Sequence, residues 1–428
     1  MLTVVLAAIF TALPLHPLDF TDALSRLSDA FSSLANGNEG TSSFRSLLIP
    51  SGGRAESLGT AFTGLADDIS CIEYNPASSA TLKQTELAAF HNAWIADAAM
   101  ETVAATMRKG NIGFGGQIRC FYVPFTEYNS FGERVAGSYY TETTAIFNIS
   151  YNFLAGYYFK GIALGINAKA SWRGIPDYAD NNTGAIISGS GLSQSALAVA
   201  GDFGMMLQFN AGKLFHSREP NLRIGVNILN AGVAFTGFKS ASGVVLDDAL
   251  PTSAAIGISY RIVKPLLVTA EFRQPFNMLN ISEYAMWSAG AGVEVRVTNF
   301  FSVLGGFLLK GANPRISLGS EFTIFKKITL DINYTLDLTS SLNPVNRISL
   351  CAKVPLGDNG RAETQKRIDE LYNAGLQYFS EGAYDNAIAC WEAVLKIDKR
   401  FDPARESIKS AQAQLSLMQK IQDVQRLE

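Results

Sequence analysis

From residue 85 to residue 355 the chain alternates apolar and polar side chains with a period of two, and few folds accept such a pattern. Ile328, Leu330, Ile332, Tyr334 and Leu336 alternate with Thr329, Asp331, Asn333, Thr335 and Asp337. Ala291, Val293, Val295 and Val297 alternate with Gly290, Gly292, Glu294 and Arg296. A period of two belongs to strands whose two faces meet different surroundings. About fourteen such segments can be counted, near 86–95, 100–108, 111–122, 142–153, 161–172, 195–209, 222–229, 252–262, 266–273, 286–297, 300–309, 314–324, 328–336 and 345–355. Many have the roughly 9–11 residues of a tilted transmembrane strand. No internal run approaches the ~18–20 apolar residues of a membrane helix, although 47% of the chain is hydrophobic and only 17% charged.

The connections carry a second signal. Those after even-numbered strands are mostly short (Lys109-Gly110, Thr298-Asn299), while the longest follow odd-numbered ones (Val123 to Thr141, Arg173 to Gln194, Asn230 to Pro251). A short first loop near Ala96 and a longer segment from Asn210 to Asn221 are exceptions. Short turns at one end and long loops at the other describe an outer-membrane barrel. A soluble β-sandwich shares the alternation but not the asymmetry. Aromatic residues near strand ends, among them Trp94, Tyr151, Phe153, Trp172, Trp287 and Phe300, fit an interfacial girdle. A net charge of -3 gives no argument for nucleic acid.

Ahead of the array, Pro50 to Leu82 reads PSGGRAESLGTAFTGLADDISCIEYNPASSATL. It is too rich in Gly, Ala and Ser to form a core of its own, and small residues allow close packing inside something else. Asn75-Pro76 favours a turn or extended backbone. The stretch resembles the N-terminal hatch of FadL-type outer-membrane transporters for long-chain fatty acids. The matching positions are Gly59, Ala61, Ala66, Asp67, Asp68, Asn75, Pro76 and Ala77. It is also similar to the PorV branch, FadL-like barrels that serve protein secretion.

The resemblance implies an all-β, monomeric, fourteen-stranded antiparallel transmembrane barrel, closed by a hatch in its lumen. It implies capture of a long-chain fatty acid or other hydrophobic ligand and sideways release into outer-membrane lipid through a kink in the third strand. There Gly113, Gly115 and Gly116 permit a bulge; the competing reading is that they relieve crowding against the hatch. The PorV likeness implies instead a scaffold that recruits periplasmic proteins.

No catalytic constellation, metal site or cofactor motif is evident. Cys71, Cys120, Cys351 and Cys390 are far apart without CxxC spacing, and only three histidines are present, so zinc is not expected. Free thiols are expected ahead of a Cys71–Cys120 bridge. Asp67 and Asp68 are expected to accept hatch backbone hydrogen bonds or to pair with lumenal bases. By alternation, Lys169, Arg173, Arg223, Arg261 and Arg296 point inward, with Glu271, Glu294, Glu321 and Asp331. One of the bases can neutralise a ligand carboxylate; a mutually paired lumenal network is the plainer expectation.

Residues 1–20 read as a signal peptide, Leu2 to Leu13 forming its apolar run, and 21–84 as an N-terminal segment with the hatch. Asp19 to Asn36 is weakly amphipathic. After the barrel (85–355) comes a linker, 356–366, and then helical periodicity over 367–428. Gly375, Tyr378, Tyr384, Ala387 and Trp391 look like the packing residues of one tetratricopeptide repeat. Both termini are then periplasmic, and the helices pack on the barrel mouth, pair with another copy or dock a periplasmic protein.

Overall fold

The computed structural model describes residues 42–427 except 96, 129–130, 181–182, 184, 237, 239–244, 281–284, 311–312, 326 and 339–344. The expected signal peptide and the amphipathic stretch after it lie outside the described residues.

Fifteen strands follow in chain order: β1 (Thr85–Ala93), β2 (Ala99–Lys109), β3 (Ile112–Tyr128), β4 (Arg134–Phe153), β5 (Ile162–Gly174), β6 (Ala196–Phe209), β7 (Leu222–Thr236), β8 (Val245–Ala249), β9 (Ser253–Val263), β10 (Leu266–Pro275), β11 (Ser288–Arg296), β12 (Phe301–Lys310), β13 (Asn313–Ile324), β14 (Ile328–Asp337) and β15 (Val345–Gly357). Sequence neighbours pair antiparallel all the way round, apart from β7, which pairs with β9. The first and last strands pair from Thr85↔Gly357 to Ala93↔Ile348, which closes the cylinder. Fourteen strands form the closed barrel. The short β8 adds only to the upper end of β7, so the expected long loop over 230–251 is partly strand. The expected loop from Val123 to Thr141 is likewise mostly ladder, because β3 and β4 continue pairing to Tyr128↔Arg134.

The period of two becomes a division between inside and outside. Outward residues such as Val103, Ile118, Ile166, Ile256, Leu318 and Ile348 are half or more exposed. Inward Asn148, Asn227, Asn333 and Ser349 are fully buried. Apolar side chains on the exposed face and polar ones inside reverse the usual arrangement of a globular protein. What buries the inner face is the chain itself: residues 43–82 run through the lumen, and almost all of them are buried.

Pairing is regular except at a few places. In the β6–β7 ladder, Leu229 and Asn230 stand opposite Asp202, and Asn230 takes a left-handed backbone (φ 57°). This bulge is held by side chains. Asp202 Oδ1 accepts the Asn230 N–H at 2.7 Å, and Lys169 Nζ reaches both Asp202 (2.8 Å) and Asn230 Oδ1 (2.7 Å).

After β15 three helices follow: α1 (Arg361–Ser380), α2 (Tyr384–Ile397) and α3 (Asp402–Leu427). They begin at 361 rather than 367, and only three residues separate them from the last strand. Among the described residues, no helix is long and apolar enough to cross a membrane. Trp391 is the hub of the helical unit: it is buried and its Nε1 donates to the Tyr372 carbonyl at 3.2 Å. A Cβ on Gly375 would lie 2.3 Å from that nitrogen, so α1 and α2 approach only because Gly375 is bare. Ala387 is buried and Tyr384 stacks edge-on against Phe379. Tyr378 departs from expectation. It is 39% exposed, and Tyr372 and Phe379 occupy the packed positions beside Trp391.

The helices sit at the short-turn mouth of the barrel. Tyr157, between β4 and β5, packs on Phe401 with ring centroids 4.9 Å apart, and Arg218, between β6 and β7, pairs with Asp369 at 2.6 Å. Replacing Gly375 with Leu forces a side chain into the Trp391 ring and should destabilise the helical unit by about 1–3 kcal/mol or more. The expected readout is faster proteolysis within 361–427 of the intact chain, with the barrel's heat-modifiable gel mobility retained.

Candidate functional site

The lumenal segment is seated on the wall where backbone meets backbone. Three cross-strand glycine pairs, Gly165↔Gly204, Gly225↔Gly257 and Gly292↔Gly306, each receive one bend of it. At Gly204 a Cβ would lie 2.3 Å from Asn75 Oδ1, and at Gly165 2.3 Å from the Pro76 carbonyl oxygen. At Gly225 it would lie 2.0 Å from the Thr63 carbonyl oxygen, and at Gly306 2.0 Å from the Gly59 nitrogen. At Gly165, Gly225 and Gly306 the atom met is backbone, so no side-chain rotation relieves the clash; at Gly204 it is the Asn75 amide oxygen, which is itself held by the Ala77 N–H. Gly59 adds a second requirement, its backbone being left-handed (φ 63°).

Asn75-Pro76-Ala77 is a cap. Asn75 is extended (φ -154°, ψ 98°), as a residue before proline prefers. Its Oδ1 accepts the Ala77 N–H, and Pro76 opens the short 3-10 helix Pro76–Thr81. Its Nδ2 donates to the carbonyls of Thr63 and Met205, both at 3.0 Å, joining two parts of the segment to β6. Wall amides complete the clamp. Asn148 donates to the Pro76 carbonyl (3.0 Å), Asn167 to that of Ile72 (2.8 Å), and Asn227 to Thr63 Oγ1 (2.9 Å) and the Tyr74 carbonyl. Ala61 is buried against the Gly290 position.

Charge fixes the remainder. Arg54 lies at the centre, donating to Asp67 and, through Nε at 2.9 Å, to Glu294 on β11; Asp68 is 3.5 Å away. Lys353 on β15 reaches Asp68 (3.1 Å), Asp331 (2.9 Å) and Glu321 (3.4 Å). Burial pushes the Asp67 carboxyl up, but Arg54 and Arg223 outweigh this and hold it below the usual carboxylate range. Asp67 and Asp68 therefore converge on a base of their own segment, Arg54, which the sequence reading passed over. Glu271 accepts the backbone N–H groups of Phe62 and Thr63 at 3.1 and 2.9 Å. Glu56 accepts from Ser349 Oγ at 2.8 Å.

The inward bases have different fates. Lys169 is taken by Asp202 and Asn230. Arg223 donates to the Leu65 carbonyl at 3.0 Å, and Arg261 to the Lys264 carbonyl in its own turn. Arg296, at the end of β11, is exposed. Arg173 alone of the five lies over an aromatic ring, 5.1 Å from the centre of Phe44. Of the third-strand glycines, Gly113 faces Ser79-Ala80 and Gly115 faces Ile72, while Gly116 meets nothing of the lumenal segment. The register of β3 is unbroken through all three on both sides. Gly113 and Gly115 make room for the segment, and the ladder carries no bulge at Gly113, Gly115 or Gly116. The four cysteines are unpaired.

Two cavities lie on the long-loop side of the segment among the described residues. The inner one, about 230 Å³, lies between Leu47–Pro50, Tyr74 and the upper ends of the strands from β7 to β15. The outer one, about 460 Å³, lies over Ser42–Ile49 and is walled by Trp94, Phe121, Tyr140, Glu142 and Arg173.

The chain belongs to the uncharacterised protein family UPF0164, which it matches over residues 21–359. One UPF0164 protein of Treponema pallidum (strain Nichols) is 32% identical over 391 residues, covering 89% of this chain and 85% of the relative. Another from the same organism is 28% identical over 386 residues, covering 89% and 77%. Among solved structures, the Ralstonia pickettii toluene transporter TbuX aligns at a TM-score of 0.45 and 14% identity, covering 71% of this chain and 98% of its own. The CymD monoaromatic hydrocarbon channel aligns at 0.49 and 12%, covering 72% and 97%.

Two substitutions test the seat. Gly225→Leu should displace the segment at Thr63, read as new protease cleavage between residues 50 and 82. Arg54→Met leaves the buried Glu294 and the partly exposed Asp67 without their base and should cost roughly 3–5 kcal/mol, measured as a lowered unfolding midpoint in detergent. The double variant Arg54→Met/Glu294→Gln should recover part of that loss.

Proposed function

We propose that this UPF0164 protein is an outer-membrane channel of a diderm bacterium that admits hydrophobic molecules past a lumenal hatch. The observation that carries the reading is the inverted cylinder: an exposed apolar outer face, a polar inner face, and residues 43–82 filling the lumen. Lipid is the surrounding that such an outer face matches, and a closed barrel leaves no unpaired edge to satisfy there. Cavities on one side of the hatch give a hydrophobic molecule a place to stop before passage. The likeness of Gly59 to Ala77 to the FadL-type hatch motif supports the same reading and adds long-chain fatty acids as a ligand class. The short-turn mouth, where the helices pack, then faces the periplasm with both termini. There the helical unit, in its tetratricopeptide-like role, covers the exit.

Purified barrel in liposomes should take up or bind a labelled hydrophobic ligand saturably. A deletion of residues 51–80 should abolish saturable binding and raise leak conductance. Asn75→Ala removes three hydrogen bonds at one buried position, each worth about 1 kcal/mol, and should raise conductance while leaving the barrel folded. Failure of the wild-type protein to bind any apolar ligand, or its recovery from the soluble fraction, would end the reading.

A further inference from the structure

The two cavities differ from a simple hydrocarbon pocket in their charge. Seven Lys or Arg side chains line the inner cavity against two carboxylates, Glu56 and Glu73. Several of these bases are backed by acids that stand outside the lining: Asp202 behind Lys169, Glu271 behind Arg273, Asp337 behind Arg315. Their charge is balanced from behind, and they still present donors to the cavity. Arg45 is different. It lines both cavities, its side chain is exposed, and among the described residues it has no hydrogen-bond or ion-pair partner. In the outer cavity Arg173 Nε is buried without an acceptor among the described residues, its guanidinium lying over Phe44. A buried donor without a partner is costly, and an anionic oxygen satisfies it.

Apolar surface completes the inner cavity through Leu47, Leu229, Leu250, Pro251, Phe276 and Leu308. The volume sets a limit on what fits there. A cavity of about 150 Å³ holds benzene, so about 230 Å³ is room for one ring or a short chain. The two cavities share Ser42, Arg45, Leu48, Lys310 and Arg315, so one ligand can occupy both.

Resting on the channel reading above, we propose that the two cavities form one site for a compact amphipathic acid. Its carboxylate is held by Arg45 and Arg173 in the outer cavity, and its ring or short apolar chain lies in the inner one. Arg45 is the selective element because none of the described residues already neutralises it.

The test compares 3-phenylpropionate, toluene and palmitate on the reconstituted full-length protein, wild type and Arg45→Ala. Arg45 has no ion-pair or hydrogen-bond partner among the described residues, so its removal should leave the barrel and its thermal unfolding unchanged. Wild type should bind 3-phenylpropionate at least 10-fold more tightly than toluene. Arg45→Ala should lose about 10-fold for the acid and nothing for toluene. Arg173→Gln gives an independent second loss of the same kind. If toluene binds as well as the acid, or Arg45→Ala weakens both equally, the anion site is overturned while the channel reading stands. Tighter binding of palmitate than of 3-phenylpropionate overturns the compact-ligand part. If none of the three binds, both readings fall together.

Discussion

A closed fourteen-stranded cylinder encloses a lumen, and here residues 43–82 occupy it, seated backbone against backbone at three bends and packed between them by side chains such as Phe62, Leu65 and Ile72. The bends of the lumenal segment at Leu58-Gly59, Thr63-Gly64 and Asn75-Pro76 rest on facing glycine pairs of the wall. Contact at that distance leaves no space for a Cβ on the wall glycines, so it fixes the depth and rotation of the segment together. The amide clamps of Asn148, Asn167 and Asn227 depend on that placement, because each reaches a carbonyl that only a closely seated backbone can present. So does the ion cluster, in which Arg54 from the segment meets Glu294 from the wall.

The charge arrangement argues for precise placement more than for gross stability. A buried ion pair gains little over well-packed apolar groups, but breaking one partner leaves a charge without solvent. Arg54 and Lys353 stand among five carboxylates, Asp67, Asp68, Glu294, Glu321 and Asp331. Any shift of the segment separates several of these at once. On the long-loop side the balance reverses to an excess of bases around the cavities. The lumen is therefore acidic where the segment is locked and basic where a ligand would arrive.

The strands were legible because their environment is two-sided. A one-residue slip would turn every apolar side chain inward, so the alternation pins both the strand and its register, and most strand bounds from 86 to 355 agree with the ladder within two residues; the long-loop ends of β3, β4 and β7 run further than the alternation indicated, to Tyr128, Arg134 and Thr236. The lumenal segment was legible through its small-residue composition and Asn75-Pro76-Ala77. Its partners were less so. Gly165, Gly225, Gly290 and Gly292 stand on the small or polar side of their strands, and a run of inward glycines opposite a small-residue segment was the available signal. Arg54 carried no mark, since one arginine among small residues does not announce which acids will surround it. Tyr378 misled because the tetratricopeptide spacing fits it, while the packed face of α1 runs through Tyr372 and Phe379 instead.

The sequence by itself determined an alternating array, its asymmetry of turns, a plug-like segment before it and helices after it. Each of these follows from local composition and periodicity, which are properties of neighbours along the chain. Only the tertiary structure decided which wall glycine receives which bend and that β3 keeps its ladder through Gly113–Gly116. It also decided that Lys169 is spent on Asp202 while Arg45 has no partner among the described residues. Those outcomes depend on contacts between residues as much as 200 and more positions apart, such as Arg54 with Glu294 (240 apart) and Glu56 with Ser349 (293 apart). Closing the cylinder is what brings them together, and no local pattern encodes their pairing.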